Sequence, residues 1–208
     1  MLRIFKAITI AFLASTFFSI SYAIPHQIDY LDLKKPIQKQ IDCLTENIYF
    51  EAGYESYNGK LAVAFVTLNR LASGNYGKDI CEVVKQRTKN ANGVIICQFS
   101  WTCQPIFTKK RLTIQHDSLY NDIRELAIYV LINYHNLKDV TKGATYFHAD
   151  YVDPQWGLPR TIKIGRHIFY KRHTDVQNIN RGNLMVNCLY FNKESFLCEA
   201  IIAPAVDK

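Results

Sequence analysis

Several features that would settle the function of this chain at once are missing from it. No H-E-x-x-H run and no C-x2-C pair occurs, so neither the common helical zinc site nor a cysteine knuckle can be written onto it. The histidines His148, His167 and His173 form no compact ligand pair, and the reading is that no metal and no cofactor are needed. After residue 20 no stretch is long and apolar enough to cross a bilayer as a helix. No internal repeat appears, which excludes solenoids and propellers. There is no recognisable nucleic-acid-binding signature either. Basic residues are scattered, the one cluster being Lys109-Lys110-Arg111, which reads as solvated surface.

The start of the chain has the layout of an export signal. Arg3 and Lys6 give a positive opening, residues 7–20 are almost uncharged and apolar, and Ser21-Tyr22-Ala23 offers small residues for cleavage. The apolar run, about 14 residues, falls short of the roughly 20 that a permanent anchor needs. Residues 1–23 are therefore expected to be a signal peptide, with no lasting membrane anchor and a periplasmic or secreted destination. Without Arg3 and Lys6 the chain keeps 23 basic against 18 acidic residues, a net of about +5, which suits a protein that dwells on polyanionic polymers. All six cysteines (Cys43, Cys81, Cys97, Cys103, Cys188 and Cys198) follow the signal. An even number in an exported chain implies up to three disulfides, and six cysteines allow about 15 pairings. Cys188 and Cys198 bracket a short polar loop and are candidates for a local bridge.

Residues 24–35 read as a flexible lead-in, after which Pro36 suits the first turn of a helix. Ile37, Ile41, Leu44 and Ile48 recur at helical spacing and mark one buried face. Three residues further the stripe reaches Glu51, a carboxylate where an apolar residue is due, just before Gly53. Ser56 can cap a second helix whose stripe is Leu61, Ala64, Phe65, Leu68 and Ala72, thickened by Ala62 and Val63. Such a helix belongs at the centre of the core. Asp79 can cap a short helix through Val84, residues 86–96 read as a loop, and a third long helix is expected over about 117–137. The period then changes. Residues 144–149 have strand character, Pro154, Gly157 and Pro159 punctuate a loop, and 161–164 and 167–171 flank Gly165-Arg166, a turn of type II′. Helices first and a small antiparallel sheet later make an α+β domain, mainly helical.

Three segments could carry chemistry. Glu51 stands among Tyr49, Phe50, Ala52 and Tyr54, with Glu55 one turn away. Apolar and aromatic neighbours raise a carboxyl pKa, as a general acid working near neutral pH requires; a capped or salt-bridged helix end explains the same pattern. Gln98-Phe99-Ser100-Trp101 combines rings and an amide suited to a sugar cleft. A strand that buries Phe99 and Trp101 while Gln98 and Ser100 face water fits the alternation equally. On residues 144–149, Tyr146 and His148 share one strand face, either as a cleft wall or as an ordinary half-buried strand.

Taken in order, these segments resemble the cell wall hydrolase family typified by the spore-cortex-lytic enzyme. The resemblance rests on NIYFEA (residues 47–52), GKLAVAFVTLNR (59–70), CQFSWTC (97–103), ATYFHA (144–149) with Val152, Pro154 and Trp156, and IGRHIFYK (164–171). It implies a lysozyme-like α+β fold and action on peptidoglycan. The protein is expected to be a monomer and the chain to divide into the signal peptide 1–23, a lead-in and first helical turns over 24–42, a catalytic domain over 43–173, and an extension of unknown role over 174–208. By the resemblance Glu51 is the general acid and Glu55 supports it; from the residues themselves, Gln98, Phe99, Ser100, Trp101, Tyr146 and His148 are the expected substrate contacts. Family members carry Arg-Gly between the two glutamates, whereas this chain has Gly53-Tyr54. A single well-placed acid suits a lytic transglycosylase. The alternatives are a hydrolytic muramidase with Glu55, Asp150 or Asp153 as second carboxylate, an amidase cutting between glycan and stem peptide, and a non-catalytic wall-binding domain.

Overall fold

The second apolar stripe folds as a helix with almost no wet side. In the computed structural model, which describes residues 29–178, 185–191 and 195–202, helix α2 runs over Tyr57–Ser73. The Ser56 hydroxyl accepts a hydrogen bond from the Gly59 N–H at 3.3 Å, capping its first turn. The helix ends at Gly74, whose φ of 70° is the left-handed conformation that glycine adopts without penalty. Every residue from 61 to 73 is buried.

Helix α1 (Lys35–Ala52) lies against α2 and buries Ile37, Ile41, Leu44 and Ile48, the expected stripe. The short helix α3 (Ile80–Lys85) is capped by Asp79, which accepts from the Glu82 N–H at 2.8 Å. Cys81 on α3 is bridged to Cys43 on α1. A hairpin follows, β1 (Arg87–Lys89) paired antiparallel with β2 (Ile95–Cys97), then a 3-10 turn over Ser100–Cys103 closed by a Cys97–Cys103 disulfide. Helix α4 (Pro105–Lys110) leads to α5 (Ser118–Asn133), which turns Ile123, Leu126, Ala127, Val130 and Leu131 inward as expected.

The second half of the domain is a three-stranded antiparallel sheet, β3 (Tyr146–Ala149), β4 (Arg160–Ile164) and β5 (His167–Tyr170), with β5 in the middle. Gly165 has φ 54° while Arg166 stays on the negative side, as a type II′ turn requires. Phe169 on β5, with Ala144, packs against Ala62 and Val66 and so fixes the sheet to the back of α2. Helix α6 (His173–Asn178) returns against α2. The last elements, β6 (Met185–Phe191) and β7 (Ser195–Ile202), pair antiparallel with Cys188 opposite Cys198 in register. Whether those two thiols are bridged, and the export segment over 1–23, lie outside the described residues.

Three expectations need correction. Within 86–96, both ends are strands rather than loop; β1 and most of β2 are exposed, so no buried face imposes the alternation that would reveal them. The lead-in is not loose from residue 29 onward. A 3-10 turn over Tyr30–Asp32 is capped by Asp29, Leu33 is buried in the core, and the Tyr30 hydroxyl reaches the Asp42 carboxylate at 2.8 Å. The third long helix is also shorter than expected, ending at Asn133.

The two bridges should differ in value. The Cys43–Cys81 loop spans 38 positions and the Cys97–Cys103 loop 6, and loop entropy grows with length. Replacing Cys43 and Cys81 by Ala should cost about 3–4 kcal/mol and replacing Cys97 and Cys103 about 2 kcal/mol, as read by urea unfolding of each double variant.

Candidate functional site

Helix α1 ends at Ala52, and its last turn forms one side of an open cleft of about 510 Å³. Glu51 lies in this cleft, lined also by Tyr49, Phe50, Glu55, Phe107, Lys110 and Arg166. The wall behind is aromatic. Phe50 stacks on Trp101 with ring centres 4.6 Å apart and meets Phe107 edge-on at 5.2 Å. The Tyr49 hydroxyl donates to Asp117 at 2.7 Å, and the Lys110 ammonium sits 5.3 Å from the Tyr49 ring centre. The basic cluster at 109–111 is therefore not idle surface, since Arg111 also pairs with Glu46 at 2.7 Å.

Glu51 itself is half-buried, and among the described residues no side chain or backbone N–H bonds its carboxyl. Burial pushes its pKa up to about 7, opposed only in part by the positive Arg70. A carboxyl in that state holds a proton at neutral pH and can part with it. Glu55 is placed differently. Its side chain lies in a notch between Gly59 and Gly165: a Cβ on Gly165 would come within 2.1 Å of Glu55 Oε2, and one on Gly59 within 2.6 Å of Glu55 Cβ. Gly165 is required for its positive φ, and the far end of the Glu55 side chain rests against it.

Arg70 was not singled out by sequence reasoning and is the most unusual residue of the site. It is 3% exposed. Its Nε donates to the Thr145 carbonyl at 2.6 Å, while the guanidinium carbon lies 4.8 Å from the centre of Phe99, 5.1 Å from Tyr76 and 5.5 Å from Tyr146. Asp175 on α6, also unforeseen, is buried and accepts from the Tyr76 hydroxyl at 2.6 Å, the Thr145 hydroxyl at 2.7 Å and Asn75 Nδ2 at 3.0 Å. The signal available in advance was an arginine in the last turn of a helix that belongs at the centre of the core.

The remaining expected site residues divide. Phe99 and Trp101 are 1% and 4% exposed, so neither ring offers a face to a sugar; they form the wall behind Phe50 and Arg70. Trp101 Nε1 donates to Asn47 Oδ1 at 3.0 Å, fixing the wall to α1. Gln98 is half-buried and Ser100 exposed, and none of the four lines the cleft that holds Glu51. Tyr146 and His148 do share a face. With Trp156, 42% exposed, and Tyr170 they form an aromatic patch. His148 Nδ1 lies 2.9 Å from the Ala149 carbonyl and Nε2 3.0 Å from the Tyr170 hydroxyl; a carbonyl only accepts, so Nδ1 carries the proton and Nε2 accepts from Tyr170. Among the described residues no group of three or more His, Cys, Asp or Glu side chains is arranged to hold a metal, and no helix is long and apolar enough to cross a membrane.

Two measurements probe this geometry. The folded protein holds the Glu51 proton up to about pH 7, whereas an unfolded glutamate loses it near pH 4.3. Stability is therefore lost as pH rises between those values and stays low above them. Glu51→Gln removes that penalty and should stabilise the protein at pH 8 by about 1–3 kcal/mol, with little effect at pH 4, in thermal unfolding at the two pH values. Gly165→Ala and Gly93→Ala, both at positive φ, should each destabilise by about 1–2 kcal/mol through backbone strain, as read by thermal unfolding.

The sequence pattern of the Cell Wall Hydrolase family matches residues 54–170, so Glu51 lies three residues before the matched segment and Asp175 five beyond it. A curated relative, the spore cortex-lytic enzyme of Halalkalibacterium halodurans, is 30% identical over 132 residues, covering 62% of this chain and 34% of that protein; the chain spans about a third of that relative's length. Two solved structures are similar. One is the catalytic domain of the germination-specific lytic transglycosylase SleB from Bacillus anthracis, at 25% identity and TM-score 0.46, covering 64% of this chain and 95% of that one. The other is the catalytic domain of the Bacillus cereus SleB protein, at 26% identity and TM-score 0.41, covering 64% and 91%. With more than half of its length matched, this chain belongs to the cell wall hydrolase family.

Proposed function

We propose that the protein is an exported lytic transglycosylase that cleaves peptidoglycan at the glycosidic bond between N-acetylmuramic acid and N-acetylglucosamine, with Glu51 as its acid and then its base. The observation that carries this reading is the state of Glu51: a carboxyl at an open cleft, free of bonds from the described residues, with its pKa pushed up to about 7 by burial. Membership of the cell wall hydrolase family supports peptidoglycan as the substrate. Glu51 delivers its proton to the leaving oxygen as the bond breaks. Its carboxylate then takes the proton from the C6 hydroxyl of the muramyl residue as that oxygen closes on C1. One carboxyl completes the cycle and ends protonated, without water. The basic groups Lys110 and Arg166 at the cleft suit a polyanionic strand.

A second reading is favoured by one feature, the presence of Glu55 in the same cleft. A hydrolytic muramidase needs a second carboxylate to activate water or to attack C1. Mass spectrometry of digested sacculi separates the two. Ends with a 1,6-anhydro ring are expected, and water-added ends would replace the transglycosylase with the muramidase. Glu51→Gln should reduce cleavage at least about 100-fold, in line with loss of a general acid; unchanged lysis would sink both readings. Because the protonated form starts the reaction, kcat/KM should fall as pH rises through about 7, in a profile measured on solubilised glycan strands.

A further inference from the structure

Beside the Trp101 wall lies a second cavity, of about 270 Å³, that the acid chemistry leaves unused. Its lining is Lys85, Arg87, Trp101, Thr102 and Arg111, three cationic side chains and no acid. The three come from separate elements: Lys85 from the last turn of α3, Arg87 from β1 and Arg111 from just beyond α4. Both disulfides brace the place, since Cys43–Cys81 ties α3 to α1 and Cys97–Cys103 closes the turn that carries Trp101 and Thr102. Arg87 Nη2 donates towards the Thr102 carbonyl at 3.5 Å. Arg111 spends its Nη2 on Glu46 of α1 at 2.7 Å, yet its side chain stays 35% exposed. Lys85 and Arg87 have no ion-pair partner among the described residues. The excess of charge is local in the chain: between Glu82 and Asp117 there are six Lys and Arg residues and no Asp or Glu. Cations gathered around a concave space concentrate anions in it.

We propose that this cavity is an oxyanion subsite, which takes a carboxylate of the stem peptide borne by a glycan strand lying in the Glu51 cleft. This deepens the reading of peptidoglycan as the substrate and rests on it. Direct contacts join the two places. Trp101 lines the cavity and stacks on Phe50, which lines the cleft, with ring centres 4.6 Å apart. Lys110 and Arg111, consecutive at the end of α4, line the cleft and the cavity respectively, and the Arg111 guanidinium carbon lies 5.9 Å from the Trp101 ring centre. A strand held at Glu51 bears its peptides on the muramyl units, and those peptides carry free carboxylates. A guanidinium meets a carboxylate with paired N–H donors, and an ammonium adds a compact charge. Because Glu46 already engages Arg111, Lys85 and Arg87 are the groups with charge to spare.

Binding of end-labelled glycan strands is measured by fluorescence anisotropy on the full chain carrying Glu51→Gln, which suppresses cleavage. Three strand preparations are compared: native stem peptides, the same peptides with their carboxyls converted to amides, and strands stripped of peptides. Lys85→Gln combined with Arg87→Gln, both exposed positions, should weaken binding of native strands about tenfold and leave the other two preparations unchanged. Lys89→Gln combined with Lys109→Gln removes as many charges from exposed positions outside the cavity and should change native binding by less than about twofold. Amidated strands that bind as tightly as native ones overturn the proposal. So does a cavity variant that binds native strands unchanged, that loses stripped strands equally, or that does no more than the outside pair. Because binding is read without cleavage, a tenfold peptide-dependent loss in a protein that makes no anhydro ends would refute the reaction and leave the subsite standing. Anhydro products without that loss would do the reverse, and a protein that binds no strand overturns both.

Discussion

The domain is organised by a helix that meets almost no water. From 61 to 73 every residue of α2 is buried, so its polar groups look inside the protein for partners, and among the described residues Arg70 Nη1 is left without one. Several of the bonds formed tie α2 to other elements. Thr67 accepts from Asn47 on α1 at 3.0 Å. Asn69 donates to Asp139 at 2.9 Å and to the Ala144 carbonyl at 3.1 Å, and accepts from the Tyr134 hydroxyl at 2.8 Å. Arg70 reaches β3 through Thr145. The packing that hides α2 and the bonds that satisfy it therefore specify one arrangement. α1 is set on one side and the sheet on the other, with the acid at the end of α1 between them.

This arrangement explains how a glutamate comes to occupy an apolar stripe. Glu51 continues the face that Ile37, Ile41, Leu44 and Ile48 bury, so the helix itself carries it towards the core. The helix stops at Ala52, before the stripe closes over, which leaves the carboxyl at a cleft mouth instead of inside. Proton affinity and access come from the same geometric fact. The aromatic wall of Phe50, Trp101 and Phe107 deepens the desolvation without supplying the hydrogen bonds that would lower the pKa.

Much of this was legible in the residues. The three long helices, their inward faces, the Ser56 and Asp79 caps and the Gly165 turn all follow from local rules, because each depends on neighbours a few positions apart. Glu51 stood out because it broke a period. What escaped depends on residues far apart in the chain. Arg70 and Asp175 are separated by about a hundred positions and meet through Tyr76 and Thr145, a relation that no spacing encodes. Phe99 and Trp101 illustrate a different limit: alternation fits a sugar platform and a core wall equally, and burial decided for the wall. The β1–β2 hairpin was invisible because a ribbon wet on both faces has no hydrophobic period.

The bare tip of the β4–β5 hairpin constrains how proteins built this way can diversify. Gly165 at the tip has φ 54°, a conformation that any side chain would strain, and the far end of Glu55 lies against it. Change is freer beside it, between β3 and β4, where Tyr151, Val152 and Trp156 are exposed. Side chains of different size and polarity have room in that stretch, while the tip next to it stays short and unadorned.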